Sequence, residues 1–212
     1  MYKLYWSPGS AAMAPHALLN AIGVKHELIK IDDDKNEQKS AEYMRFNPHG
    51  RVPTLVYDGA NVMYESAAIC LLLCERHPEA GLAPAVDHAD RGLFLQWMAY
   101  QTNTVQEALM HYWHGDYFVD GAERQAALSK KAEERSDQMF GFLDGVLSRS
   151  GPYLCGTNFY ACDIYLAMLA RWTRKMEKPA IRHPQIKRIV QHCLALPAYA
   201  KMLRDEGIEQ PV

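Results

Sequence analysis

The stretch that decides the fold reads Asn47-Pro48-His49-Gly50-Arg51-Val52-Pro53-Thr54-Leu55 and leads on to Glu65-Ser66. Its second half is apolar, and a turn at Asp58-Gly59 separates it from Val62-Met63, which predicts a β-hairpin. Pro53 stands at the strand entry, where an X-Pro bond is either that of a plain edge-strand proline or a cis bond. Ser66 then opens an apolar helix that Pro78 ends.

The residues upstream of this stretch predict a strand, a helix and a second strand. Residues 2–6 form a short aromatic run that Ser7-Pro8-Gly9 stops. Pro15 suits the first turn of the helix that follows, and Gly23 suits its end. Residues 26–31 alternate polar and apolar side chains, as a half-buried strand does, and the polar residues 32–42 are expected on the surface. The predicted order is therefore βαβ followed by ββα.

The second half of the chain predicts helices only. Apolar residues recur there at spacings of three and four, and no convincing strand pattern is present. We therefore predict two domains, residues 1–80 with mixed α/β structure and residues 86–212 as an all-α bundle, with a linker around Gly81. The predicted helices cover roughly residues 87–114, 122–148, 161–176, 183–195 and 198–205.

Composition narrows the class of protein. A net charge of −2 over 212 residues favours neither nucleic acid nor an anionic membrane as a partner. No signal peptide or membrane span is indicated, and the odd count of five cysteines is typical of reduced thiols in the cytoplasm. Cys70 and Cys74 share one face of an apolar helix and are predicted to be core residues.

Three features point to binding chemistry. Ser10 lies in the loop before the first helix, whose N–H groups favour an anion, although a serine there is also a common helix cap. If the bond before Pro53 is cis, the backbone of Val52 is free to pair with an extended peptide. Glu65 and Ser66 offer a negative charge and a helix N-terminus, which suit the head group of an amino acid, and ordinary helix capping is the alternative.

Together these segments carry a resemblance to a known family. Residues 5–10, 47–55 and 65–69, with Ala161-Cys162-Asp163-Ile164-Tyr165, resemble the cytosolic glutathione transferases along essentially the whole chain. The resemblance implies an α/β thioredoxin-like N-terminal domain plus an all-α C-terminal helical bundle. It also implies a homodimer.

The resemblance implies roles for individual residues as well. Val52, before a cis bond to Pro53, would pair with the cysteine backbone of glutathione, and Glu65 and Ser66 would hold its γ-glutamyl group. Candidates for the glycyl carboxylate are Lys35, Lys39 and Arg51. Asp163 would fix the start of a buried helix, as the aspartate of the family's folding motif does.

The chain departs from the family pattern at two places. The region around Ser10 is most similar to the bacterial beta class, but Ala11 stands where that class carries its cysteine, so cysteine chemistry is excluded at this loop. Ser10 directly follows Pro-Gly, as the catalytic serine of delta-class enzymes does, and Tyr5 is a second hydroxyl nearby. Tyr160 replaces the Ser or Thr that usually precedes Asp163 by three residues, with Asn158 as a possible substitute cap.

We therefore predict a glutathione S-transferase that joins the thiol of glutathione to a small apolar electrophile. Ser10 and a helix N-terminus would stabilise the thiolate, without a metal or a cofactor beyond glutathione as co-substrate. Tyr112 and Trp113 are predicted to line the pocket of the second substrate, although aromatic side chains on a helix are often core residues. The alternatives are another glutathione-dependent reaction (isomerisation, dehalogenation or peroxide reduction) or a glutathione-binding carrier or regulatory protein with little catalysis.

Overall fold

The computed structural model describes residues 1–209 and divides them into two compact units. The first unit contains Met1–Ala83 together with the described residues from Leu194 onward, and the second contains Pro84–Cys193. The break after Ala83 falls in the linker region around Gly81, which follows a short 3₁₀ turn at Pro78–Ala80.

A four-stranded mixed sheet forms the centre of the first unit. Its strands are β1 (Tyr2–Trp6), β2 (His26–Lys30), β3 (Thr54–Tyr57) and β4 (Asn61–Tyr64). The order across the sheet is β2-β1-β3-β4. β1 and β2 are parallel, while β3 runs antiparallel to both β1 and β4. The βαβ unit and the hairpin that the sequence predicts are both present.

Two helices of the first unit follow from local sequence signals. Helix α1 (Met13–Ile22) ends at Gly23, whose φ of 78° is a left-handed conformation that glycine adopts without steric cost. Helix α2 (Ser66–Arg76) buries Ile69, Leu73 and both of its cysteines, so the prediction that Cys70 and Cys74 are core residues is confirmed. The polar residues 32–42 form short 3₁₀ turns that bury none of their side chains.

The last helix within residues 1–209 belongs to the first unit. Helix α8 (Pro197–Asp205) packs on α1, and the amide of Asn20 donates to the Ala198 carbonyl at 3.3 Å. The predicted division at residues 80 and 86 assigned this segment to the helical domain. The structure differs because the apolar side of α8, with Tyr199 and Met202, is buried against the first unit.

The second unit is helical, as predicted. Its helices are α3 (Arg91–Tyr100), α4 (Glu107–Trp113), α5 (Ala122–Ser150), α6 (Ala161–Trp172) and α7 (Pro184–Ala195), the last of which runs two residues past the unit's boundary. A π-helical segment, Gln101–Gln106, joins α3 to α4 without a break, so the single helix predicted over residues 87–114 is present from Arg91 to Trp113 with a π-helical middle. No helix within residues 1–209 is long and apolar enough to cross a membrane.

Helix α6 is buried along its whole length, and Asp163 holds its start. Asp163 Oδ2 accepts from the Tyr160 N–H at 3.0 Å and its Oδ1 accepts from the Leu154 N–H at 2.9 Å. The reciprocal bond runs from the Asp163 N–H to the backbone carbonyl of Tyr160, so no hydroxyl side chain is needed at that position. Apart from that of Asp163, no side chain within residues 1–209 caps the start of α6, so Asn158 is not a substitute cap, and its amide donates to Asp90 instead.

Candidate functional site

Three segments that carry the predicted binding residues meet at one edge of the sheet. β1 ends at this edge and β3 begins there, because Tyr5 pairs with Thr54. β4 ends beside the start of β3, because Thr54 also pairs with Tyr64. The β1–α1 loop, the loop before β3 and the N-terminus of α2 therefore lie next to one another, within the first unit.

A direct hydrogen bond joins two of these segments. Ser66 is buried, with 6% of its surface exposed, and its hydroxyl donates to the Ala11 carbonyl at 2.5 Å. The serine that opens α2 therefore fixes the loop that carries Ser10. Neither Ser66 nor Glu65 caps α2 with its side chain, so the alternative of ordinary helix capping is not what the structure contains.

Glu65 adopts an unusual backbone conformation immediately before α2. Its φ of 76° lies in the left-handed region, which costs a side-chain-bearing residue about 1–3 kcal/mol. Residues in such conformations concentrate at binding sites, where the rest of the structure holds them in place. The carboxylate is exposed while the Glu65 carbonyl accepts the first hydrogen bond of α2, from Ile69.

Ser10 is engaged by its own loop. Its hydroxyl donates to the Ser7 carbonyl at 2.8 Å and accepts from the Ala12 N–H at 3.2 Å. A serine hydroxyl has a single proton, so Ser10 has to release the Ser7 carbonyl, by rotation about its Cβ–Oγ or Cα–Cβ bond, before it can donate to a ligand. The hydroxyl of Ser7, in the same loop, is buried without a hydrogen-bond partner, and the sequence analysis did not single it out.

Tyr5 lies on the face of the sheet opposite Leu4 and Trp6. Its ring contacts those of Tyr43 and Phe46, at centroid distances of 5.6 and 5.1 Å. Partial burial raises the pKa of the Tyr5 hydroxyl, which therefore stays protonated at neutral pH and can only donate to an anion. Tyr5 is half-buried and remains a second candidate hydroxyl.

The loop before β3 is held by two buried side chains. The Asn47 amide donates to the Arg51 carbonyl at 2.8 Å, and the Tyr43 hydroxyl donates to the same oxygen at 2.7 Å. Burial raises the pKa of Tyr43 to about 12, so this hydroxyl remains a donor. The Val52–Pro53 peptide bond that follows is cis, as the resemblance implied.

The three basic candidates for the glycyl carboxylate differ in their surroundings. Lys35 is paired with Asp32 at 2.8 Å, and its side chain is 74% exposed. Lys39 Nζ donates to the His49 carbonyl at 3.1 Å, which brings it to the loop before Val52. A Cβ on Gly50 would lie 2.8 Å from Lys39 Cδ, so Gly50 leaves room for this side chain. Arg51 is exposed in the same loop.

The carboxylate that directly follows α8 holds the β1–α1 loop in place. Glu206 is buried, with 4% of its surface exposed. Its Oε2 accepts from the Gly9 N–H at 2.9 Å, and its Oε1 contacts His16 Nδ1 at 3.0 Å. His16 is itself fully buried and lies 3.4 Å from Asp205 through its other ring nitrogen. Sequence reasoning missed Glu206, because nothing local marks a contact across 197 residues.

The aromatic candidates of the second unit lie at the end of α4. The Trp113 indole N–H donates to the Trp172 carbonyl at 3.0 Å, and the Tyr112 hydroxyl donates to the Lys175 carbonyl at 3.4 Å. Both side chains are only half-buried, so neither is a core residue. In residues 1–209, no group of three or more His, Cys, Asp or Glu side chains is arranged to hold a metal ion.

Comparison with known proteins shows which family the chain matches. Residues 10–76 match the family model of the glutathione S-transferase N-terminal domain, and residues 71–197 match that of the C-terminal domain. Glutathione S-transferase GstA of Escherichia coli O157:H7 is 24% identical over 211 residues, which span 98% of this chain and 100% of that protein.

Two solved structures resemble the chain over nearly its whole length. A glutathione transferase homologue from Sulfitobacter with bound glutathione has a TM-score of 0.90 at 24% identity, covering 98% of this chain and 99% of that one. A sphingomonad glutathione S-transferase complexed with glutathione has a TM-score of 0.83 at 27% identity, covering 97% and 99%. The predicted fold, a thioredoxin-like domain followed by a helical domain, is confirmed. The chain belongs to the glutathione S-transferase family.

Proposed function

We propose that the protein conjugates the thiol of glutathione to a small electrophile with an apolar body. The observation that carries this proposal is the meeting of the β1–α1 loop, the Val52–Pro53 loop and the N-terminus of α2 at one sheet edge. A tripeptide with charged ends needs a strand-like backbone partner and polar groups at both ends. These three segments offer that combination.

Each part of glutathione has a proposed partner. The γ-glutamyl carboxylate binds the N-terminus of α2 at Ser66, where unpaired N–H groups and the helix dipole favour an anion. The γ-glutamyl ammonium group binds the exposed carboxylate of Glu65. The cysteine backbone pairs with Val52, which Pro53 presents. For the glycyl carboxylate we favour Lys39 over Lys35. The Lys39 ammonium group contacts the loop before Val52, whereas Lys35 is paired with Asp32.

Activation of the thiol is a modest energetic task. A thiol with a pKa of about 8.5 is only about 3% thiolate at pH 7, and lowering the pKa by about two units raises this to roughly three quarters. That shift corresponds to about 2.7 kcal/mol, the size of one charge-assisted hydrogen bond plus a helix N-terminus. We propose that Ser10, placed as in the delta class, supplies the hydrogen bond after leaving the Ser7 carbonyl.

The other elements of the proposal follow from the family resemblance. They are a homodimer, a cytoplasmic location, glutathione as co-substrate, and Tyr112 and Trp113 in the pocket of the second substrate. A second candidate function is a glutathione-binding carrier or regulatory protein with little catalysis. The commitment of the Ser10 proton to the Ser7 carbonyl favours this alternative, since the hydroxyl is not aimed at a ligand.

Calorimetric titration with glutathione tests the binding site. We expect micromolar to millimolar affinity that falls about tenfold in Ser66→Ala, because the variant loses a polar contact and the anchor of the Ala11 carbonyl. Ser150→Ala is the matched control, since Ser150 is exposed and its hydroxyl donates only within α5, to Val146. Absence of binding in the wild type, or an equal loss in both variants, would contradict the site.

Turnover with a neutral aryl halide separates catalysis from binding. We expect Ser10→Ala to lower the rate of conjugation by about tenfold or more while glutathione affinity changes little, because the hydroxyl acts on the thiolate. Tyr5→Phe is the comparison. A loss confined to Tyr5→Phe would assign the hydroxyl role to Tyr5. No glutathione-dependent activity in any of the proteins, with this halide or with one that carries a carboxylate, would support the carrier.

A further inference from the structure

Two cations lie close to the indole ring of Trp113 in the second unit. The Arg174 guanidinium carbon lies 5.6 Å from the ring centroid, and Lys175 Nζ lies 5.9 Å from it. Both residues belong to the turn that follows α6, and the Trp113 N–H is tied to the last residue of that helix, Trp172. The ring of Tyr112 meets that of Trp113 edge-on at 5.3 Å. The cluster Tyr112, Trp113, Arg174 and Lys175 is called the cationic platform below.

Within residues 1–209, neither cation of this platform forms an ion pair with a carboxylate. Arg174 donates one of its five N–H groups, from Nη1 to the Arg171 carbonyl at 3.2 Å. Partial burial lowers the pKa of the Arg174 guanidinium from its ordinary value, so its charge is held where water solvates it poorly. A charge in such a place is stabilised when an anion binds to it.

One carboxylate is close to the platform but is engaged elsewhere. Glu133, on α5, contributes to the raised pKa of Tyr112, after the larger effect of burial. Its Oε1 accepts from the Lys178 N–H at 2.7 Å. Glu133 therefore holds the segment that follows the platform, and it does not pair with Arg174 or Lys175.

We propose that the cationic platform binds the carboxylate of an aryl substrate, whose ring lies against Tyr112 and Trp113. The planar fork of Arg174 matches a carboxylate with two parallel hydrogen bonds, and Lys175 adds a second charge. This inference rests on the proposed function, in which Tyr112 and Trp113 belong to the second-substrate pocket. It restricts the electrophile to one with an apolar ring and an anionic group.

Titration of the full-length protein with two non-reactive probes tests the platform apart from catalysis. The probes are naphthalene-1-carboxylate and naphthalene-1-carboxamide, which differ in charge but hardly in shape. At low ionic strength and neutral pH we expect the carboxylate to bind about tenfold more tightly than the amide, as one or two charge-assisted hydrogen bonds would give. In Arg174→Gln we expect this preference to disappear, and in Arg174→Lys to persist in part.

Arg149→Gln is the matched control, because it changes the net charge by the same amount. Ser129 contacts the backbone of Tyr112, and Arg149 lies about 30 Å further along α5 at about 1.5 Å per residue. We expect this variant to keep the full preference for the carboxylate. Equal affinity for both probes in the wild type, no binding of either, or a preference that survives Arg174→Gln would overturn the proposed site.

Glutathione titration of the same proteins distinguishes failure of this inference from failure of the proposed function. We expect Arg174→Gln to bind glutathione as the wild type does, because the glutathione contacts lie in the first unit. Glutathione-dependent conjugation without any preference for carboxylates would overturn the platform alone. A carboxylate preference in a protein that does not bind glutathione would overturn the assignment of the platform to a second substrate.

Discussion

Replacing Asp163 by alanine is expected to lower the free energy of unfolding by about 4 kcal/mol, since each buried donor left without its acceptor costs about 1–3 kcal/mol. The carboxylate is fully buried and accepts the N–H groups of Leu154 and Tyr160. Alanine removes both acceptors in a place that water cannot reach. Urea unfolding at about pH 5, below the pKa of Asp163 in the folded protein, measures the change. Asp87→Ala, at an exposed position, is the control and should alter stability by less than about 0.5 kcal/mol.

The pH dependence of the Asp163→Asn variant gives a sharper readout. Burial raises the pKa of Asp163 to about 7, well above its value of about 3.9 in an unfolded chain. Between these values the folded protein holds a proton that the unfolded chain has lost, so this group's contribution to stability falls as the pH rises, by up to about 1.4 kcal/mol per pH unit. Asparagine does not titrate.

The free energy of unfolding of the wild type minus that of Asp163→Asn should therefore be greatest near pH 4 and decrease toward pH 7. A difference that grows over this range would mean that the two N–H bonds keep the carboxylate ionised. In that case the capping interaction outweighs desolvation. A flat difference would mean that Asp163 does not titrate in the range.

Replacing Glu206 by alanine is the second large effect, with an expected loss of about 3 kcal/mol in the free energy of unfolding. The side chain is the buried acceptor for the Gly9 N–H and the partner of the buried His16. Alanine leaves a cavity and removes both contacts at once. Because Gly9 directly precedes Ser10, we also expect weaker glutathione binding in this variant, measured by calorimetry at a temperature where the protein is folded.

Two further variants define the cause of that loss. Glu209→Ala removes an exposed carboxylate three residues further on and should change neither quantity. Glu206→Gln keeps the shape and one acceptor oxygen, so it should retain part of the stability. Full stability in Glu206→Ala would mean that the β1–α1 loop holds its conformation without the Glu206 carboxylate.

Local patterns predicted most of the fold. Alternation and turn residues located the βαβ unit and the hairpin, and apolar spacing located each long helix to within a few residues. Predictions failed where tertiary packing determines the domain to which an element belongs. A sequence pattern shows that a helix has an apolar side, but it does not show which surface covers that side. Helix α8 is the example, since its apolar side belongs to the first unit.

The candidate binding site, too, was predictable only in part. The segments containing Ser10, Val52 and Ser66 carry a pattern that can be read along the chain, and the structure brings them to one edge. The direction of each hydroxyl cannot be read from the sequence, so the bonds from Ser10 to the Ser7 carbonyl and from Ser66 to the Ala11 carbonyl were not expected. The choice between Lys35 and Lys39 likewise depends on how the polar loop folds back toward His49.

The placement of α8 has a consequence for how the protein is made. A ribosome delivers the sheet, α1 and α2 before the helical unit, but the helix that covers α1 and the Glu206 carboxylate that holds Gly9 are synthesised after it. Until α8 has been synthesised, the nascent first unit exposes the surface of α1 that α8 later buries. Truncation before Pro197 would therefore leave the β1–α1 loop without the Glu206 carboxylate, although residues Pro84–Cys193 of the helical unit would all be present.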